Sequence, residues 1–89
     1  MSANTKYPNF EKIARKGNAI YARVKKLYEP KNKGKYLAIE PDSKEVYLAV
    51  NGIKAVEKGR KKHPGKMFFL VKIGYDSADM IAQSVLGKH

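Results

Sequence analysis

Apolar positions along the chain follow two periods, and the switches between them outline the elements. From Phe10 to Tyr28, apolar or small residues fall at Phe10, Ile13, Ala14, Gly17, Ile20, Tyr21, Val24, Leu27 and Tyr28. That i, i+3, i+4, i+7 spacing makes a single helical stripe. The stripe predicts a helix over 9–29, with Asn9 as N-cap and Glu29-Pro30 ending it, since the residue before proline leaves the α region. Two runs then alternate with a period of two, YLAIE and EVYLAV, around the polar turn Pro41, Asp42, Ser43 and Lys44. They read as a β-hairpin. In the first run Leu37 and Ile39 share one face and Tyr36 and Ala38 the other. In the second, Val46, Leu48 and Val50 lie opposite Tyr47 and Ala49.

Asn51-Gly52 breaks the second run. A helical pattern follows, with Ala55, Val56 and Gly59 inward and Lys54, Lys58, Lys61 and Lys62 outward. Glycine inside a helix costs about 1 kcal/mol relative to alanine, which points to a close approach of this helix to the sheet. Pro64-Gly65 closes it, and MFFLVKI forms a third strand stopped by Gly74. A last segment, 76–87, with Met80, Ile81, Val85 and Leu86, reads as a short C-terminal helix capped by Asp76 or Ser77.

The expected fold is therefore α+β. An N-terminal helix precedes a three-stranded, mainly antiparallel sheet made of a β-hairpin, a crossover helix and a third strand, followed by the short C-terminal helix. A right-handed crossover allows strand order 2-1-3, or a third strand parallel to the second. The chain reads as one domain over 1–89. It comprises a flexible arm at 1–8, the helix at 9–29, a β-β-α-β core at 34–75 and the C-terminal helix. Both sheet faces carry apolar side chains. The central helix is expected to cover one, and the N-terminal helix the face bearing Tyr36, Ala38, Tyr47, Ala49, Phe68 and Leu70.

Charge changes the picture more than composition does. Nineteen Lys and Arg stand against eight Asp and Glu, for a formal net charge of +11. Such a charge favours polyanions or an acidic partner, although a Lys-rich surface also serves solubility alone. Sixteen of the nineteen are Lys, which favours phosphate contact over base reading, because bidentate Arg dominates the latter. The connector 31–35 and the stretch 58–66 are the densest clusters. Lys33, Lys35, Lys58, Lys61, Lys62 and Lys66 are the candidate nucleic-acid contacts, expected to form one patch if the two clusters share an end of the sheet. Tyr36, Tyr47 and Phe68 would stack unpaired bases if their face were open.

The helical stripe also keeps close to a seven-residue repeat, so self-association is a further expectation. Ile13, Ile20, Val24, Leu27, Met80 and Ile81 are its candidate interface.

Residues Gly17, Ile20 and Tyr21; Leu27, Glu29 and Pro30; Gly34 to Ile39; Ser43 and Tyr47; Ala55; and Lys72, Ile73 and Gly74 together carry a resemblance. The pattern G-x-x-I-Y, L-x-E-P, G-K-[FY]-x-A-I and [KR]-I-G resembles a family of small prokaryotic proteins with no established activity. The resemblance implies a helix followed by a β-β-α-β unit and no particular chemistry.

No catalytic constellation stands out. GRKKHPGK has five residues between its glycines, Met67 after Lys66, and a helix-to-strand order, so it is not a phosphate-binding loop of the Walker type. With no Cys and no acidic residue at ligand spacing from His63, neither a disulfide nor a transition-metal site is expected. His63 reads as an exposed helix-end residue, and Glu40 and Glu45 as solvated turn carboxylates. No cofactor or small-molecule substrate is implied. Without a run of about 18 apolar residues or an apolar leader, a cytoplasmic protein with no membrane span is expected. The leading function is a small non-catalytic adaptor or regulatory protein that acts through protein contacts and self-associates. The alternative is a nucleic-acid-binding protein that uses a Lys-rich patch for non-specific phosphate contact.

Overall fold

The computed structural model describes residues 10–75 and the backbone of residues 80–83. The arm at 1–8, the proposed caps Asn9, Asp76 and Ser77, and residues 84–87 lie outside the described residues. The elements are α1 (Phe10–Tyr28), β1 (Tyr36–Glu40), β2 (Glu45–Ala49), α2 (Gly52–Lys62), β3 (Met67–Lys72) and β4 (Met80–Gln83). The sheet order is β2-β1-β3-β4, antiparallel at each pairing. Of the two arrangements the sequence allows, the structure has the order 2-1-3, and the hairpin and the crossover helix agree with the sequence. The C-terminal helix does not: residues 80–83 form a fourth strand, Leu70 opposite Met80 and Phe69 opposite Ile81. The three-residue apolar run Met80 to Ala82 fits either period, and the open edge of β3 supplies backbone partners that a helix would leave unused.

Each helix covers one face, in the reverse of the expected assignment. The stripe of α1 meets Leu37, Ile39, Phe69, Val71 and Ile73, with Ile20 buried among them and Ile13, Val24, Val46 and Leu48 packed at the margin. The other face carries Ala38, Ala49, Phe68 and Leu70, with Tyr36 and Tyr47 at its edge, and α2 closes it through Ala55 and Val56. Gly59 is where α2 comes nearest: a Cβ there would lie 2.7 Å from the Phe68 ring. Asn51 caps α2, its side chain accepting the Lys54 N–H at 2.8 Å. No helix among the described residues is long and apolar enough to cross a membrane.

Strand directions fix two ends. At the hairpin end lie the turn 41–44, the C-terminus of α2 and the start of β3. At the connector end the segment 29–35 enters β1, the Gly34 N–H donating to the Ile73 carbonyl at 2.9 Å.

Candidate functional site

The six lysines expected to form one patch divide between the two ends. Lys33 and Lys35 are at the connector end, Lys33 with its ammonium 5.4 Å from the Tyr75 ring centre and Lys35 donating to Asn32 at 3.2 Å. Lys61, Lys62 and Lys66 are at the hairpin end, where Lys66 pairs with Asp42 at 2.8 Å. Lys58 reaches from α2 to the Leu48 carbonyl at 2.6 Å, bonding a backbone acceptor of the edge strand β2. The stacking face is closed as well, because Phe68 is wholly buried under α2. Of the candidate interface residues, Ile20 lies in the core and Ile13 and Val24 against it. Leu27 remains 77% exposed, and Met80 and Ile81 belong to β4.

The hairpin end holds a polar cluster that the sequence reading had taken for solvated turn residues. Glu40 is buried, its two carboxylate oxygens accepting the backbone N–H groups of Asp42 at 3.1 Å and Ser43 at 2.9 Å. His63 is half-buried between two carboxylates, Nε2 at 2.9 Å from Glu45 and Nδ1 at 4.0 Å from Glu40. The Tyr47 hydroxyl donates to Glu45. These contacts clamp the end of α2 to the hairpin.

The Tyr47 hydroxyl and then His63 hold the Glu45 carboxyl below its ordinary value. Lys66, by hydrogen bond and charge, does the same for Asp42, with a smaller contribution from Lys16. Burial, and then Glu45, pushes the Tyr47 phenol up to about 12. Lowered carboxyl values contribute stability that is present above the ordinary range and lost as pH falls through the folded values. The urea midpoint is therefore expected to hold above about pH 5 and to drop below about pH 4. A D42N/E45Q variant should show a smaller acid drop. An acid drop of the same size in that variant would contradict the clamp.

A hollow of ≈ 280 Å³ nearby is lined by Lys12, Lys16, Glu40, Asp42, Lys66 and Met67 among others, and His63 does not line it. Among the described residues no group of His, Asp and Glu is arranged to hold a metal ion.

Six cations, Lys12, Arg15, Lys16, Arg23, Lys25 and Lys26, lie along α1. With Ile20 and Gly17 turned inward, helical geometry carries Lys12, Arg15, Ala19, Ala22, Arg23 and Lys26 to the opposite side, flanked by Lys16 and Lys25, and all eight are exposed. No acidic residue occurs from Lys12 to Tyr28, and two of the chain's three Arg are here. Four described acids have other partners, though one also meets this helix: Glu29 accepts from the Tyr21 hydroxyl at 2.9 Å, and Glu40, Asp42 and Glu45 sit in the hairpin cluster, from which Asp42 also pairs with Lys16 at 3.7 Å. None of these cations is among the contacts expected from the sequence. The unbroken positive sign of this face was the available signal.

No family model, no curated protein and no solved structure matches the chain.

Proposed function

We propose that the chain is a small non-catalytic module that binds nucleic acid through phosphate contact, largely irrespective of sequence, with the outer face of α1 as its principal surface. The carrying observation is the acid-free row of six cations from Lys12 to Lys26 on a helix whose apolar stripe is taken up by the sheet. Counterion release makes such binding favourable and steeply salt-dependent. A cytoplasmic location goes with this reading.

Titration of the protein with DNA across a salt series tests it. Log affinity should fall linearly with log salt. The K58Q/K61Q/K62Q/K66Q variant should lose less affinity than K12Q/R15Q/R23Q/K26Q, because Lys58 and Lys66 already hold Leu48 and Asp42. Failure to bind any polyanion at low salt would refute the reading.

A second reading, a self-associating adaptor, draws on Leu27, Val50 and Ile53, which are 77%, 63% and 73% exposed. Sedimentation giving a species heavier than the 10.0 kDa chain would support it, and a strict monomer at high micromolar concentration would sink it.

A further inference from the structure

We infer that the preferred ligand of α1 is double-stranded, B-form DNA, with the helix seated at the major groove; this rests on the phosphate-binding reading above. The outer face of α1 has a definite shape. Lys12, Arg15 and Lys16 form one cationic cluster, Arg23, Lys25 and Lys26 another, and the exposed methyl groups of Ala19 and Ala22 lie between them. A rise of about 1.5 Å per residue separates Arg15 from Arg23 by about 12 Å along the axis. The major groove of B-DNA is about 12 Å wide and admits an α-helix. With α1 laid across the mouth of the groove, two cationic clusters at that separation meet phosphates on both sides of it, and the low saddle between them faces the groove. Alanine offers base edges no hydrogen bond, so the contact positions the helix and carries little sequence information.

Other occupants fit less well. Unpaired strands need aromatic platforms. Phe68 and Phe69 are wholly buried, and the more exposed rings, Phe10 and Tyr75, sit at opposite ends of the molecule and off the saddle. An RNA duplex has a deep, narrow major groove, so phosphates on its two sides do not match clusters about 12 Å apart. A second copy packed α1 against α1 would oppose like charges along the row. A lipid surface calls for an apolar face on the same helix, and that face is buried in the core.

Fluorescence anisotropy with a mixed-sequence DNA duplex, each of its single strands, the corresponding RNA duplex and heparin provides the test. The DNA duplex should bind at least about fivefold tighter than either strand or the RNA duplex, the margin expected if groove contacts add about 1 kcal/mol. Ala19→Leu with Ala22→Leu adds bulk without charge and keeps helix propensity. That variant should lose threefold or more on duplex DNA and stay unchanged on heparin. R15Q/R23Q should lose tenfold or more on the duplex. Circular dichroism confirms folding of each variant, all four positions being exposed. Single strands binding as tightly as duplex, or a leucine variant indistinguishable from the parent on duplex, would overturn the duplex inference and leave phosphate binding standing. Absence of binding to every one of these probes would remove both.

Discussion

Replacing Gly17 by alanine is expected to lower the thermal midpoint by about 10 °C or more, although alanine is the better helix former. A Cβ at this position would sit 2.6 Å from the Phe69 Cβ and closer still to the ring, and Phe69 is wholly buried. The propensity gain is about 1 kcal/mol, whereas overpacking a filled core costs about 3 kcal/mol. A net loss of about 2 kcal/mol corresponds to that midpoint change in a domain of this size. Gly59→Ala should cost less, because its clash is with the edge of the Phe68 ring at 2.7 and 2.9 Å. Asn18→Ala, on the exposed side of the same helix, should be neutral or slightly stabilising. Stabilisation by Gly17→Ala would mean that α1 does not dock on β3 as described.

Glu40→Ala should cost about 2–3 kcal/mol in urea unfolding, more than any other single change at the hairpin end. Its carboxylate satisfies two turn N–H groups from a buried position. Leaving donors of part-buried hydrogen bonds without their acceptor costs about 1–3 kcal/mol. Glu40→Gln keeps one acceptor oxygen and should lose roughly half as much on the same argument. Glu45, half-exposed on the neighbouring strand, serves as the comparison, and Glu45→Ala should be milder. Equal losses at Glu40 and Glu45 would contradict the anchoring role.

Local order was written plainly in the sequence. The period of 3.6 from Phe10 to Tyr28 gave α1 and its buried stripe, and the alternation around Asp42-Ser43 gave the hairpin, observed with Glu40 opposite Glu45. Gly59 signalled the close approach of α2. Which helix covers which face was hidden, because periodicity identifies an apolar side and not its partner. Residues 80–83 were ambiguous for the same reason that any short apolar run is. The burial of Glu40 depends on turn N–H groups and on His63, a residue 23 positions away, so no local pattern announces it.

The division of the lysine clusters was legible and missed. If β3 runs antiparallel to β1, the connector that enters β1 and the loop that enters β3 must lie at opposite ends. The cations of α1 were equally visible. Their grouping on one side follows from the stripe itself, since what is not turned to the sheet is turned to solvent.

Amide chemical-shift mapping of the ¹⁵N-labelled protein with a mixed-sequence DNA duplex addresses the central claim most directly. The account predicts that the largest changes fall on Lys12, Arg15, Ala19, Ala22, Arg23 and Lys26, with the hairpin cluster around Glu40 and His63 little affected. Changes centred on α2 or on the connector 31–35, with α1 silent, would contradict it.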